Sequence, residues 1–289
     1  MIHFVGAGPG APDLITVRGQ KLLAEADVII YAGSLVNPEL LLAAGENCRI
    51  HNSAYMTLEE VIGVMEQAEK EGLTTVRLHT GDPSIYGAVR EQMEELEKRG
   101  IAYDVTPGVS SFCGAAAALG MEYTLPGVSQ SVILTRMEGR TAVPEKESIE
   151  SFAAHQATMV LFLSASMLGE LAKRLVEGGY APDTPAAIVY KATWPEEKAF
   201  VCTVGTLEKT AAENGIRRTA LIIVGEAVRF NGQFKGLQGA AGSGAPESGV
   251  TESGANAAGV NAAGVTRSRL YDAGFSTGYR SAEKSDRKL

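Results

Sequence analysis

The chain has 289 residues, of which 45% are hydrophobic, and 34 Asp and Glu against 26 Lys and Arg give it a net charge of −8. This length allows one or two domains with a sizeable core, and the acidic balance argues against a protein that binds nucleic acid. Its three cysteines lack disulfide or metal-ligand spacing, no apolar run reaches the roughly 20 residues that cross a bilayer, and no signal peptide is recognisable. The sequence therefore predicts a cytoplasmic protein that neither enters membranes nor holds a metal.

The first half alternates short β-rich runs with amphipathic runs. Thr16 is placed to cap one helix, and Thr57 with Glu60 three residues on forms a capping box for the next. Strands are predicted at 2–6, 27–31, 74–79 and from 102 towards 107, and helices at 17–26, 57–72, 89–100 and 110–120. This alternation predicts a parallel sheet with helices packed on its faces.

The second half has more strands for each helix, which predicts a mixed sheet. Strands are predicted at 130–136, 157–164, 185–193, 198–205 and 219–228, and helices at 166–179 and 206–215. The predicted fold class is therefore α/β, with two α/β domains at 1–122 and 123–235 and the ligand cleft between them. Residues 236–289 are rich in Gly, Ala and Ser with few bulky side chains, so we expect a disordered C-terminal tail.

The first motif is the glycine-rich "VGAGPGAPDLIT" after the first predicted strand. It lacks the G-x-G-x-x-G spacing of a dinucleotide fingerprint, and Pro9 removes a backbone donor that a pyrophosphate would need. The second strand ends in "YAG", without the acidic residue that holds a ribose. A nicotinamide site is therefore disfavoured, and a rigid turn without a ligand is the alternative interpretation.

Two further motifs follow predicted strands. In "LHTGDPSIYG", Gly81 permits close backbone approach and Asp82-Pro83 makes a rigid loop, at the sheet edge where open α/β folds bind ligands. The alternative is that Asp82-Pro83 only begins a helix. In "TPGVSS", we expect capping of the next helix to use one of Ser110 and Ser111, which leaves the other hydroxyl for a ligand.

In this order and spacing, the three motifs resemble those of the tetrapyrrole methylases, and the resemblance extends over about residues 1–231. It implies transfer of a methyl group from S-adenosylmethionine (SAM) to a ring carbon, two α/β domains with SAM between them, and a homodimer. The segments "AGSLVNPELL", "HNSAYMTLEE" and "SQSVILTRMEGRTAVPEKESI" are similar to members that methylate C11 of precorrin-4 or cobalt-precorrin-4 in cobalamin biosynthesis.

The resemblance also implies a set of SAM-binding residues, taken position by position. These are Pro9, Thr80, Gly81, Asp82, Ile85, Ser110, Ser111, Leu163, Ala192, Thr219 and Ala220. Because the implied substrate is a polycarboxylate, basic side chains near the cleft become candidates for binding it. These are Arg18, His79, Arg136 and Arg140. No catalytic residue is assigned.

One difference from the family pattern restricts the range of expected substrates. Relatives that methylate uroporphyrinogen have an aspartate in "YD-x-LV", assigned as a general base, whereas this chain has "YAGSLV". A later step of corrin synthesis fits better, with or without cobalt in the ring. The alternatives are methylation of another precorrin position, of RNA or of protein on the same fold, a nucleotide-binding oxidoreductase, and a binding protein without catalysis.

Overall fold

Two separate five-stranded sheets organise the computed structural model, which describes residues 1–139 and 141–232. Arg140, the last three residues of the predicted second domain and the predicted tail at 236–289 lie outside the described residues. Within those residues, no helix is both long and apolar enough to cross a lipid bilayer.

The first sheet is wholly parallel, as the strand-helix alternation predicts. Its strands are β1 (Ile2–Gly6), β2 (Val28–Tyr31), β3 (Arg49–Asn52), β4 (Thr75–His79) and β5 (Tyr103–Thr106), in the order β3-β2-β4-β1-β5. The edge strand β3 was not predicted, because half of its side chains are exposed and it lacks the apolar character of a buried strand.

The helices of the first half include two that begin at their predicted capping residues. They are α1 (Val17–Glu25), α2 (Leu58–Lys70), α3 (Arg90–Lys98) and α4 (Ser111–Leu119). The Thr16 hydroxyl accepts a hydrogen bond from the Gly19 amide at 3.1 Å, and Thr57 and Glu60 form the predicted capping box. These hydrogen bonds satisfy amide groups that the first helical turn leaves without partners.

The second sheet is mixed, as predicted. Its strands are β6 (Val132–Arg136), β7 (Thr158–Phe162), β8 (Pro185–Tyr190), β9 (Lys198–Thr203) and β10 (Ala220–Val224), in the order β6-β7-β10-β8-β9. The β6–β7 pair is parallel and the other pairs are antiparallel. Its helices are α5 (Ile149–Ala153), α6 (Leu168–Glu177) and α7 (Leu207–Glu213), of which the five-residue α5 is too short for its apolar period to be recognised.

Helix α4 connects the two halves. The predicted boundary after residue 122 groups α4 with the first domain, but its buried Ala115 and Leu119 belong to the same core cluster as Val160 and Ile223 of the second sheet. The difference has a simple cause, since a helix of small side chains packs closely on either of two neighbouring sheets. Through α4, the chain reaches the second core directly after the loop that follows β5.

Candidate functional site

The carboxyl ends of β1, β4 and β5 meet with their backbones in direct contact. Gly8 and Gly81 exchange two backbone hydrogen bonds, of 3.2 and 2.9 Å. A Cβ atom at Gly108 would lie 2.1 Å from the Gly81 carbonyl oxygen and 2.7 Å from the Gly6 Cα, so this contact admits no side chain. It joins three loops, residues 7–11, 80–88 and 107–111, which we call the first rim.

Asp82 braces the first rim from within. Its Oδ1 accepts hydrogen bonds from the Ser84 amide, at 2.8 Å, and from the Ser84 hydroxyl, while its Oδ2 accepts one from the Gly108 amide at 2.9 Å. Burial alone would raise the pKa of Asp82, but these hydrogen bonds outweigh it and lower the pKa, so the carboxylate is ionised. Both oxygens therefore help to hold the loops together, and Oδ2, which accepts a single hydrogen bond, keeps acceptor capacity for a ligand.

The two serines of the first rim differ from our expectation. Ser110 has the extended backbone of an N-cap residue, but its side chain makes no capping hydrogen bond. Within the described part of the chain, neither the Ser110 nor the Ser111 hydroxyl has a hydrogen-bond partner. The expectation that capping uses one serine is wrong, and both hydroxyls stay available beside Gly81, where an added Cβ would lie 3.5 Å from the Ser111 nitrogen.

A second rim lies at one edge of the second sheet. Strand β10 pairs with β7 through Ile222 and Leu161, and with β8 through Ala220 and Tyr190, so the end of β7, the end of β8 and the start of β10 share this edge. We define the second rim as residue 163 with residues 191–194 and 219–220. It contains the four second-domain residues of the predicted SAM-binding set.

The second rim is built from non-glycine residues in the left-handed conformation. Leu163 has φ +52°, Lys191 +47°, Thr193 +69° and Thr219 +57°. Each such residue costs about 1–2 kcal/mol, and backbone strain of this kind gathers at ligand sites. The Leu163 side chain is also 67% exposed, unusual for leucine at the end of a buried strand.

The two rims are in contact. The Trp194 Nε1 donates a hydrogen bond to the Pro9 carbonyl at 3.2 Å, and the Ala11 amide donates one to the Thr193 hydroxyl at 3.0 Å. From the other side, buried Asn37 donates to the Gly10 carbonyl at 2.9 Å. Sequence reasoning did not single out these side chains, although the chain's one tryptophan directly after a predicted strand was an available signal.

The structure thus brings the predicted SAM-binding residues to two rims that touch. Pro9, Thr80, Gly81, Asp82, Ile85, Ser110 and Ser111 lie on the first rim, and Leu163, Ala192, Thr219 and Ala220 on the second. Ile85 packs against the core cluster of the second domain, which again connects the rims.

The basic candidates are placed differently. Arg136 ends β6 opposite Phe162, at the edge of the second rim, and its guanidinium donates hydrogen bonds of 3.1 Å to the carbonyls of Met137, Thr141 and Ala142. In the chain as described, it has no carboxylate partner. Arg18 is exposed in the first turn of α1, and Arg140 lies outside the described residues.

His79 does not fit the predicted contact with substrate. Its side chain is 3% exposed, and its ring stacks on Phe4 with the centroids 5.9 Å apart. Burial, aided by the charge of Arg77, lowers the pKa of His79 to about 3. A neutral imidazole in the core neither reaches nor attracts a carboxylate in the cleft, so we correct this expectation.

Comparison with known families and curated proteins identifies relatives over most of the chain. The family model of Tetrapyrrole (Corrin/Porphyrin) Methylases matches residues 1–208. The chain is 55% identical over 227 residues to a cobalt-precorrin-4 C(11)-methyltransferase of Methanocaldococcus jannaschii, covering 78% of this chain and 88% of the relative. It is 43% identical over 231 residues to a precorrin-4 C(11)-methyltransferase of Pseudomonas aeruginosa, covering 80% and 92%.

Solved structures agree in fold. The structure of a cobalt precorrin-4 methyltransferase, a cobalamin biosynthetic enzyme, matches with a TM-score of 0.77 and 46% identity, covering 78% of this chain and 95% of that one. A uroporphyrin-III C-methyltransferase of Thermus thermophilus, complexed with S-adenosylhomocysteine, matches with a TM-score of 0.67 and 28% identity, covering 79% and 93%.

Proposed function

The chain belongs to the tetrapyrrole (corrin/porphyrin) methylases, and from that premise we propose that it transfers a methyl group from SAM to C11 of precorrin-4 or cobalt-precorrin-4 in cobalamin biosynthesis. The choice of C11 is supported by the relatives of that name, which are 55% and 43% identical to the chain. Since one is named for the cobalt-containing substrate and the other for the cobalt-free one, both forms belong in the test.

The observation that carries the SAM assignment is the pair of hydroxyls of Ser110 and Ser111, which have no hydrogen-bond partner among the described residues and lie on the rim that touches the left-handed second rim. Polar groups at a protein site that lack internal partners are available to a ligand's ribose, amine or carboxylate. The strained backbone of Leu163 and Thr219 supports the same assignment from the other side. We propose that the eleven residues of the predicted SAM-binding set, seven on the first rim and four on the second, hold SAM, which supplies an electrophilic methyl group on a sulfonium ion.

The contribution of the chain to catalysis is then chiefly alignment. Holding two reactants in line is worth up to about 7–11 kcal/mol in well-oriented systems. The rims suit this role because glycine contacts and inter-rim hydrogen bonds fix them. The Asp82 carboxylate is occupied by three hydrogen bonds and His79 is buried, so neither is assigned as a proton acceptor.

For the substrate, we propose that Arg136 binds a carboxylate at the open side of the cleft, with Arg18 and Arg140 as further candidates. Arg136 supports this role because its guanidinium meets only carbonyl groups in the described chain, so its charge is not neutralised by an acidic neighbour. We also propose that the enzyme acts in the cytoplasm as a homodimer, as the family resemblance implies.

The test begins with the cofactor. Calorimetric titration with S-adenosylhomocysteine should show one site per chain, and the emission of Trp194 should change on binding because its indole touches the Pro9 loop. A Ser110→Ala/Ser111→Ala double variant should bind about tenfold more weakly, the effect of losing two hydrogen bonds of modest net strength. Ser131→Ala, at the opposite end of β6 from the cleft, is the matched control and should bind as the wild type does.

The second step tests the reaction. Incubation with SAM and either form of precorrin-4 should add a single methyl group by mass, and NMR of the product should place it at C11. Failure to bind S-adenosylhomocysteine would reject both the proposed SAM site and the methyltransferase function that depends on it. A methyl group found at another ring position would support the methyltransferase activity but reject C11 as the position that is methylated.

A further inference from the structure

A buried hydrogen-bond relay lies beneath the 80–88 loop of the first rim. Arg77, in β4, is only 6% exposed and has no carboxylate partner among residues 1–139 and 141–232. Its Nε donates to the Gln92 Oε1 at 2.9 Å, and its Nη1 donates to the Ile30 carbonyl at 3.1 Å. Burial lowers the pKa of Arg77 to about 10, which leaves it charged at neutral pH. A buried charge without a counter-ion is costly, so this position needs an explanation.

Gln92 transmits the position of Arg77 to the loop. While its oxygen accepts from Arg77, its Nε2 donates to the Ala88 carbonyl at 3.0 Å. Because both ends of the amide are engaged, the side chain cannot turn without breaking a buried hydrogen bond. The Ala88 carbonyl is therefore fixed by a residue that is itself fixed by a buried cation.

The segment that this relay supports is strained. Tyr86 and Ala88 are both left-handed, with φ +53° and +50°. Between them, a Cβ at Gly87 would lie 2.1 Å from the Pro83 carbonyl oxygen, so the loop closes tightly on itself. Such a conformation persists only where neighbouring groups hold it in place. The hydrogen bond from the Gln92 side chain to the Ala88 carbonyl is one such contact.

The strained segment carries Tyr86 to the second domain. The Tyr86 ring lies 5.2 Å from that of Phe162, centroid to centroid, and the residue is 45% exposed. Phe162 is also the residue that Arg136 pairs with across β6 and β7, so the aromatic pair lies next to the strand end that carries the proposed carboxylate contact. An aromatic pair next to a guanidinium matches a large ring that has an apolar face and acidic side chains.

We propose that Arg77 and Gln92 are positioning residues that hold Tyr86 against Phe162, where Tyr86 forms the wall of the cleft that contacts the tetrapyrrole. The identity of the ring as a tetrapyrrole rests on the proposed function, whereas the link from Gln92 to Tyr86 does not. The SAM-binding part of the same loop has its own anchors, the Gly8–Gly81 and Asp82–Gly108 hydrogen bonds, so the two binding functions are separable.

The decisive variant is Gln92→Glu. A carboxylate still accepts from Arg77, and so compensates its charge, but cannot donate to the Ala88 carbonyl. The protein should stay folded and bind S-adenosylhomocysteine within twofold of the wild type, while KM for the tetrapyrrole rises about fivefold to tenfold, as expected for one lost positioning hydrogen bond. Gln67→Glu, on the exposed surface of α2, makes the same chemical change and should alter neither quantity.

A double-mutant cycle separates positioning from a general structural effect. Tyr86→Ala should raise KM at least as much as Gln92→Glu does, and the double variant should be no worse than Tyr86→Ala alone, because both changes remove the same contact. Additive effects on KM, or equal weakening of S-adenosylhomocysteine and tetrapyrrole binding by Gln92→Glu, would overturn the proposal.

The same cycle measured by urea denaturation needs no substrate. Coupling between Gln92→Glu and Tyr86→Ala in the free energy of unfolding is expected, and independent effects would reject the relay. If the wild-type enzyme methylated neither form of precorrin-4, the proposed function would fail, but the denaturation cycle would still decide whether Gln92 holds Tyr86.

Discussion

The two rims of the cleft reach a fixed backbone geometry by opposite means. Beside the first rim, Gly6 at the end of β1 and Gly108 leave no room for a side chain, so that the loops touch through their backbones. On the second rim, Leu163 and Thr219 keep their side chains and accept a left-handed backbone instead. The contact between the three first-rim loops is therefore limited by space. The second rim is limited by conformational strain, as is the Tyr86 to Ala88 segment of the 80–88 loop.

The strands beneath the rims differ as well. Strand β4, which leads into the first rim, buries three polar side chains on one face, those of Thr75, Arg77 and His79. Strand β10, which begins at the second rim, is buried along its whole length and consists only of aliphatic residues. We therefore expect the first rim to be sensitive to added volume and to acid, whereas the second rim should respond mainly to changes of backbone freedom.

The largest effect is expected from added volume on the first rim. In Gly108→Ala, the new Cβ would meet the Gly81 carbonyl oxygen at 2.1 Å, and because the obstacle is backbone, the loops themselves must separate. We expect a loss of stability at or above the upper end of the range for overpacking, about 3 kcal/mol, together with loss of S-adenosylhomocysteine binding. Urea denaturation and calorimetry measure the two effects.

A matched substitution shows whether space is the cause. Gly63 is exposed within α2, and an added Cβ there would have no atom within 4 Å. Gly63→Ala should stabilise the protein by up to about 1 kcal/mol through helix propensity. If Gly108→Ala proved as harmless as Gly63→Ala, the first rim would not be limited by space.

The next effect is the response of the first rim to acid. Burial lowers the pKa of His79 to about 3 from its ordinary 6.5, so the folded state binds its proton less readily than the unfolded state does. The stability due to this neutral histidine is complete above pH 6.5 and is lost as the pH falls towards 3. Linkage predicts a loss of about 2 kcal/mol between pH 7 and pH 5, measurable by urea denaturation at each pH.

Two variants test whether His79 causes this loss of stability at acid pH. His79→Phe keeps a ring for stacking on Phe4 and should make stability nearly independent of pH in this window, whereas His155→Gln, at an exposed site, should keep the wild-type dependence. The Glu150–Arg174 ion pair, whose hydrogen bonds lower the pKa of Glu150 to about 2, loses its contribution only at more acid pH. An unchanged slope in His79→Phe would contradict this account.

The same contrast explains how much could be predicted from sequence. Positions that only a few residue types can fill give a signal in the sequence, so the special backbone of Gly81 and the capping box of Thr57 could be predicted. The mixed second sheet followed from the larger number of strands for each helix in the second half. A left-handed leucine or threonine carries no such signal, and Leu163 and Thr219 entered the prediction only through the family resemblance.

Contacts between distant segments were not predictable either. Trp194 and Pro9 are 185 residues apart, and nothing local to either residue indicates the hydrogen bond between them. The prediction that His79 contacts the substrate was wrong for a related reason. A histidine beside a ligand loop has the same sequence context whether it lies in the core or in the cleft. Its burial depends on packing with Phe4, from a different strand.

The smallest effect belongs to the second rim, where removing strain should stabilise the fold and weaken binding. Leu163→Gly removes a left-handed cost of about 1–2 kcal/mol and adds chain entropy to the unfolded state, for a net gain of about 0.5–1 kcal/mol. Since the side chain is 67% exposed, little core packing is lost. The affinity for S-adenosylhomocysteine should nevertheless fall about fivefold, because the apolar contact of the leucine with the ligand is removed.

Gln156→Gly, at another left-handed position away from the rims, is the control and should leave this affinity unchanged. Weaker binding without added stability would mean that Leu163 contacts the ligand but is not strained. The two rims would then differ only in the close glycine packing of the first rim.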